Sequence, residues 1–210
     1  GPLYLGRLVS VPPVPPQLSS VHRDEATADF ARFLDESGEG DAAEVVRMFA
    51  STSALGLEQE LPGPVGERNL YGLHPRGRIL LLPQTRGGLF WQLGAALATG
   101  NTVVIDEESG LRDALAKLPA LVAARVTWAK DWAGQGPYAG ALVEGDAERL
   151  KALNKAIAAM PGPLVLVQSA TTEALIADPE AYCLNWLLEE VSISTNTAAA
   201  GGNASLMSIG

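Results

Sequence analysis

The sequence contains few of the side chains that metal binding, disulfide formation and nucleophilic catalysis require. Its 210 residues include one cysteine, Cys183, and two histidines, His22 and His74. A single cysteine excludes a disulfide framework and a thiolate zinc site, and two histidines leave little material for a histidine-based metal site. The neighbours of Cys183 are largely apolar, which disfavours a thiolate, so we expect a buried structural cysteine. No metal site and no catalytic residue is predicted.

Positive charge and long apolar runs are also scarce. Fifteen Lys and Arg against 24 Asp and Glu give a net charge of −9 and a pI near 4.7. Nucleic-acid binding needs a basic surface, so this chain is not expected to bind nucleic acid. It has no run of 18 apolar residues and no signal-peptide pattern at its start, so we expect no transmembrane segment and a cytoplasmic location.

Proline is concentrated near the start of the chain. Residues 11–16 read VPPVPP, a run that favours the extended polyproline conformation of a stiff linker. The chain also opens without an initiator methionine. We therefore expect residues 1–22 to be a linker and the chain to be the tail of a longer polypeptide.

The next region, residues 23–77, is predicted to be a helical and irregular segment. Apolar residues at helical spacing indicate two short acidic helices within 23–50. No period is sustained over 51–77, and the run LPGP at 61–64 is typical of turns. We predict an irregular connector there, with His74 in a turn.

From residue 78 onward, short apolar runs alternate with helical patterns. Leu89, Leu93 and Leu97 form a helical stripe that ends at Gly100, where a left-handed residue is favoured. Strands alternating with helices of this length are typical of a parallel sheet. We predict a Rossmann-like α/β domain over 78–190. The strands are expected at 78–83, 102–105, 125–128, 139–143 and 164–167, and further helices at 111–118 and 150–160.

The last segment, residues 191–210, differs from the rest. Val191, Ile193 and Thr195 alternate as in an edge strand, and the residues from 198 onward are small, mostly polar and uncharged. Such a tail cannot form its own core. We expect it to be mobile in the isolated chain, or held by a second copy, so that truncation after Val191 leaves the melting temperature nearly unchanged.

One turn could face a phosphate. Gly87 and Gly88 lie between a predicted strand and a predicted helix, where backbone amides can bind an anion. The sequence has neither GxGxxG nor a Walker motif. Two glycines at a helix start are a weak signal, and we favour a purely structural tight turn.

Residues 95–104, AALATGNTVV, resemble the helix-to-strand segment of the cofactor domain of aldehyde dehydrogenases. That family typically continues with a lysine that reaches the adenosine ribose, where this chain has Asp106. The family's Thr-Gly-Ser turn resembles residues 143–146, VEGD, and its catalytic glutamate strand corresponds to residues 164–171, which lack the glutamate. The resemblance implies a degenerate pocket near Gly87, Gly88, Asn101 and Asp106, with no cofactor bound by this segment.

A narrower resemblance covers nearly the whole chain. Residues 61–71 (LPGPVGERNLY), 75–78 (PRGR) and 194–210 (STNTAAAGGNASLMSIG) are similar to the C-terminal region of the proline utilization A family, which joins proline dehydrogenase to L-glutamate-γ-semialdehyde dehydrogenase. The resemblance implies a non-catalytic domain that covers the channelling cavity of a parent enzyme using FAD and NAD. The implied partner is the aldehyde dehydrogenase module of the same polypeptide, which would precede the linker at 1–22. The docking motif would contain Thr195, Asn196, Thr197, Gly201, Gly202 and Asn203.

Two other interpretations stay open. The domain could bind NAD through altered contacts, or it could sense a metabolite as a regulatory domain. Self-association of the chain and peripheral association of the parent enzyme with the inner membrane are also open at this point. A calorimetric titration with NAD separates the first interpretation from a non-catalytic lid.

Overall fold

The computed structural model describes residues 24–178 and 181–196. The helices in this part are α1 (Glu25–Glu36), α2 (Gly40–Thr52), α3 (Arg86–Ala98), α4 (Ala120–Ala123), α5 (Ala147–Ala158) and α6 (Thr172–Ala177). The strands are β1 (Glu58–Leu61), β2 (Glu67–Pro75), β3 (Arg78–Leu82), β4 (Thr102–Asp106), β5 (Val126–Ala129), β6 (Gly140–Glu144), β7 (Leu166–Ala170) and β8 (Leu188–Asn196).

Five strands form a parallel sheet in the order β5-β4-β3-β6-β7, which confirms the predicted α/β class. β3 is central, with β4 on one side and β6 on the other. Ile79 and Leu81 pack against the layer of α1, α2 and α3, whereas Leu80 and Leu82 face the layer that contains α5. A strand buried on both faces has no polar side, which explains the continuous apolar run at 79–82.

Helix α3 lies between the sheet and the pair α1 and α2, and 10 of its 13 residues are buried. The predicted stripe of Leu89, Leu93 and Leu97 is fully buried. Gly94 allows α2 to approach closely, because a Cβ there would lie 2.6 Å from Cγ2 of Val46. Gly100 follows the helix with φ +73°, as predicted from its position.

A second, antiparallel sheet has the order β1-β2-β8, so the prediction of an irregular connector over 51–77 is wrong. His74 lies in β2 and not in a turn. The sequence does not show the alternation of buried and exposed residues that is typical of a strand, because β2 has three consecutive buried residues between exposed ends. The core of this sheet is small and contains Leu55, Leu57, Tyr71, Leu73 and Leu188.

Strand β8 is an edge strand, as predicted, but its partner lies in the same chain. It pairs with β2 along its whole length, from Leu188 opposite Pro75 to Asn196 opposite Glu67. The expectation that the tail is mobile or held by a second copy is therefore wrong for residues 191–196. The remainder of the tail, 197–210, and the expected linker at 1–22 lie outside the described residues.

Two predicted elements differ in the α/β part. The stripe at 111–118 forms only a short 3₁₀ turn, Arg112–Leu115. The fifth strand begins at Leu166 and not at Leu164, whose side chain is 99% exposed just after the turn at 161–163. The division at residues 22, 77 and 190 stays a prediction. Among the described helices, none is both long and apolar enough to cross a membrane.

Candidate functional site

The carboxyl ends of β3, β4 and β6 meet at one edge of the parallel sheet. We call this the carboxyl edge. β3 is followed by Gln84 and Thr85, β4 ends at Asp106, and β6 ends at Glu144. The strand order reverses between β3 and β6, because β4 lies on one side of β3 and β6 on the other. In open α/β sheets, ligands bind in the crevice at such a reversal.

Thr85 begins helix α3 as its N-cap. Its hydroxyl oxygen accepts a hydrogen bond from the amide of Gly88 at 3.0 Å, which satisfies one of the amides that a helix start leaves without an internal partner. The same hydroxyl donates to Oε1 of Glu144 at 2.7 Å. Thr85 therefore joins the helix start to the end of β6.

The Glu144 carboxylate fills the space above this helix start. The residue is fully buried. Its Oε2 accepts from the amides of Gln84 at 2.7 Å and Thr85 at 2.8 Å, and its Oε1 also accepts from the hydroxyl of Thr172 at 2.8 Å. Four donors on two oxygens leave this group little capacity for a further ligand.

Gly88 is required by this arrangement, because a Cβ at this position would overlap the Glu144 carboxylate. Gly87, its neighbour, has open space around it. The two glycines, predicted together as a pocket feature, therefore have different roles. Gly88 gives the carboxylate room, and Gly87 meets no such constraint.

The start of α5 lies at the same edge and is also capped by a carboxylate. Asp146 accepts from the amide of Arg149 at 2.9 Å. Gly145 precedes it with φ +151°, a conformation that L side chains rarely adopt. The Nε of Arg149 donates to the backbone oxygen of Glu144 at 3.0 Å. Arg149 thus stabilises the turn between β6 and α5.

Asp106 lies at the end of β4, where the resemblance leads one to expect a lysine. Its carboxylate caps the following 3₁₀ turn by accepting from the amide of Glu108 at 3.0 Å. Burial raises the pKa of Asp106 above its usual value, and the hydrogen bond from the Glu108 amide and the charge of Arg149 partly offset this. In its ionised form, a carboxylate next to this crevice repels a phosphate.

Asn101 does not belong to this group. It precedes β4 and lies at the opposite, amino end of the strands. Its Oδ1 accepts from the amide of Gly77 at 2.7 Å, and its Nδ2 donates to the carbonyl of Leu187 at 2.9 Å. Asn101 therefore joins the parallel sheet to the residue that precedes β8. The structure brings together Gly87, Gly88 and Asp106 from the predicted pocket and separates Asn101.

Cys183 is exposed, so the expectation of a buried cysteine is wrong. Its backbone is held by Gln168, whose Oε1 accepts from the Cys183 amide at 2.8 Å and whose Nε2 donates to the Cys183 carbonyl at 3.2 Å. Gln168 lies in the segment that, by the sequence resemblance, would match the catalytic glutamate strand of aldehyde dehydrogenases. In this structure Gln168 holds a loop. In the described part of the chain, no group of three or more His, Cys, Asp or Glu could hold a metal.

Two residues of the expected docking motif are described. Thr195 and Asn196 end β8, opposite Arg68 and Glu67 of β2. The other four, Thr197, Gly201, Gly202 and Asn203, fall beyond the described residues.

Sequence reasoning did not assign a role to Glu144 or to Thr172. The available signal was a glutamate at the end of the apolar run GALV, directly before a glycine. A carboxylate in that position has to find donors inside the protein or remain unpaired at high cost. Those donors come from sequence positions 59, 60 and 28 residues away, so the sequence pattern alone does not identify them.

The chain matches known proteins over its full length. It is 66% identical over 210 residues to the "Bifunctional protein PutA" of Rhizobium meliloti and 36% identical over 225 aligned positions to that of Salmonella typhimurium. In both cases the match covers 100% of this chain and 17% of the relative. No model of a known protein family matches the sequence.

Solved structures show a related fold. A crystal structure of Bradyrhizobium japonicum proline utilization A aligns with a TM-score of 0.55 at 22% identity, over 71% of this chain and 19% of that chain. A substrate-bound Staphylococcus aureus AldH aligns with a TM-score of 0.53 at 12% identity, over 71% of this chain and 41% of that chain. At such identities the likeness concerns the fold alone.

Proposed function

Because this chain is homologous from end to end to a segment of the bifunctional PutA proteins, we propose that it is a non-catalytic lid and scaffold domain of an enzyme that oxidises proline to glutamate. In this role it closes the cavity through which the intermediate passes between two active sites, and it supports the aldehyde dehydrogenase module. FAD and NAD are the cofactors proposed for the rest of that polypeptide, in the cytoplasm. None is proposed for this segment.

The small sheet is the observation that carries the docking role. Its edge strand β8 is exposed from Ser192 to Asn196, and Ile193 has 54% of its surface exposed. The β1–β2 connection also presents Val65, which is fully exposed. An edge strand with an outward apolar side chain is suited to pairing with a strand of a neighbouring module.

The non-catalytic role is supported by how the polar side chains are used. Glu144 accepts four hydrogen bonds from this chain. Gln168 is bonded to the backbone of Cys183 at both ends of its amide. A general base needs a free lone pair that faces the substrate, and these groups direct theirs to the protein itself.

The lid role is tested in the full-length polypeptide. Truncation after Asn196 removes residues 197–210 and keeps β8 intact, and the substitution Ile193→Lys places a charge on the edge strand. We expect each change to produce a lag in proline-dependent NADH formation and release of the intermediate, while each half-reaction assayed separately keeps its rate.

Leu121→Lys is the matched control, since Leu121 is 48% exposed and lies on α4, which is not part of the small sheet. It should cause no lag. If the truncated enzyme converts proline to glutamate without a lag and without loss of intermediate, the lid role is wrong.

A second copy of the chain is the other occupant that β8 could pair with. In sedimentation experiments at increasing concentration, self-association through this edge would be weakened by Ile193→Lys and unaffected by Leu121→Lys. Association that both variants retain would place the contact elsewhere.

A further inference from the structure

The crevice between β3 and β6 has the construction of an anion site. Four donors converge there, namely the amides of Gln84 and Thr85 and the hydroxyls of Thr85 and Thr172. The 13-residue helix α3 points its amino end at them, and helix dipoles favour negative charge at that end. In nucleotide-binding α/β folds this is the place of the phosphates.

In this chain the position is occupied by a side chain of the protein. Glu144 is fully buried, and its two oxygens accept from all four donors at 2.7 to 2.8 Å. These distances are those of charge-assisted hydrogen bonds. Gly88 leaves room for the carboxylate, because a Cβ there would overlap it.

The groups next to Glu144 are also used within the protein. The amino end of α5 is capped by Asp146, Arg149 is bonded to the Glu144 carbonyl, and Asp106 adds negative charge at the end of the adjacent strand β4. The residues present therefore do not fit a dinucleotide of the kind that aldehyde dehydrogenases bind.

We propose that Glu144 is a built-in anion: its carboxylate takes the position of a nucleotide phosphate, stabilises the start of α3 and excludes dinucleotides from this domain. This inference deepens the proposed non-catalytic function and rests on it. It also explains why a segment for which we propose no cofactor has a Rossmann-like fold. The negative charge that would otherwise come from a nucleotide phosphate comes from the Glu144 carboxylate.

The test uses the 210-residue chain and two substitutions at one position. Glu144→Gln keeps the side-chain volume but replaces one carboxylate oxygen, a hydrogen-bond acceptor, with an NH₂ group. That group would face hydrogen-bond donors. We expect its melting temperature to fall by about 5 °C or more, because charge-assisted bonds are lost in a buried site. Glu148→Gln, at an exposed position on α5, is the matched control and should stay within about 1 °C of the wild type. A wild-type melting temperature for Glu144→Gln would overturn the proposal.

Glu144→Ala leaves the four donors around a space of carboxylate size. Sodium acetate, compared with sodium chloride at equal ionic strength, should raise the melting temperature of this variant in a concentration-dependent way and leave the wild type and Glu144→Gln unchanged. Equal responses of all three proteins to acetate would contradict the role of Glu144 as an anion.

Calorimetric titration with NAD completes the test. The wild-type chain should show no binding. Binding of NAD by the wild type with Glu144 in place would overturn the exclusion of dinucleotides and favour a regulatory nucleotide-binding domain. The coupled proline-to-glutamate rate is measured separately, so a failure of the built-in anion and a failure of the lid role are distinguishable.

Discussion

The two sheets of this chain are stabilised in different ways. The parallel sheet has helices on both faces, and its central strand β3 is fully buried from Ile79 to Leu82. The small antiparallel sheet has a core of five buried residues, and most of β1 and the end of β8 are exposed. The parallel sheet can therefore depend mainly on apolar burial, whereas the small sheet depends more on backbone pairing.

The difference suggests a division of roles. The faces of the parallel sheet are covered by helices, whereas the small sheet ends in the exposed edge strand β8, which has backbone groups available for a partner. The region that carries the fold and the region that we propose for docking are thus separate. They are joined by a few contacts, such as those of Asn101 with Gly77 and Leu187. Four predictions test this contrast.

The largest effect is expected for Leu97→Asp. Leu97 is fully buried on α3 against the parallel sheet, and an ionised carboxylate there would have no partner. We expect a loss of about 4 kcal/mol or more in the free energy of unfolding, measured by urea denaturation. Leu121→Asp, at an exposed leucine of α4, should cost less than about 1 kcal/mol. Similar losses for the two variants would show that the α/β core is not where the stability resides.

The next effect concerns two adjacent glycines. Gly88→Ala should destabilise the chain by about 1–3 kcal/mol, because its methyl group would overlap the Glu144 carboxylate. Gly87→Ala meets nothing within 4 Å and should stabilise the chain by up to about 1 kcal/mol, as alanine does in helices. Thermal unfolding of both variants gives the sign of each change. The same sign at both positions would rule out close packing at Gly88 as the cause.

Two truncations probe the small sheet. A chain cut after Val191 loses the pairing of residues 192–196 with β2, and we expect a cost of about 1–2 kcal/mol. Hydrogen exchange should become faster in β2 and stay slow in β3. A chain cut after Asn196 keeps this pairing and should match the wild type. Faster exchange in β3 after the first cut would mean that the two sheets unfold as one unit.

The smallest effect is expected at alkaline pH. The hydroxyl of Tyr138 donates to the carbonyl of Trp132 at 2.6 Å, and burial raises its pKa to about 12. An unfolded chain releases a tyrosine proton near pH 10, so the folded state holds this proton between those values. Stability therefore falls as the pH rises through this window.

Tyr138→Phe should lose less stability than the wild type between pH 9.5 and about 11.5, measured by urea denaturation at each pH. Burial raises the pKa of Tyr182 as well, so the dependence should be reduced and not abolished. If Tyr138→Phe leaves the slope of the unfolding free energy against pH unchanged, the pKa of Tyr138 is the same in the folded and the unfolded state. Tyr138 belongs to the core on the α5 face, so the part of the pH dependence that is lost in Tyr138→Phe arises in the α/β part of the chain.

Much of the α/β part was predictable from sequence because its signals are local. The run at 79–82 reads as a strand buried on both faces, and the stripe of Leu89, Leu93 and Leu97 reads as a helix. Both were confirmed. The prediction of a helix at 111–118 was wrong. The leucines have helical spacing, but only residues 112–115 form a turn, and it is a 3₁₀ turn.

The small sheet was only partly predictable. The residue types of β8 alternate and predict an edge strand. β2 does not alternate, and although one of its partners, β1, directly precedes it, the other, β8, lies more than 110 residues further along the chain. Local patterns report which face of a segment is buried. They do not report which distant segment supplies the backbone partner. The pairing of residues 191–196 with β2 could therefore be seen only in the tertiary structure.

The sequence by itself determined the α/β class and the order of the strands that form the parallel sheet, because these follow from local periodicity. It also placed two glycines at the first turn of α3. Only the tertiary structure decided what lies above that turn. Glu144 obtains its four hydrogen bonds from segments 28 to 60 residues away. A buried carboxylate is stable only when such donors converge on it, and their convergence is a property of the sheet and not of any one segment.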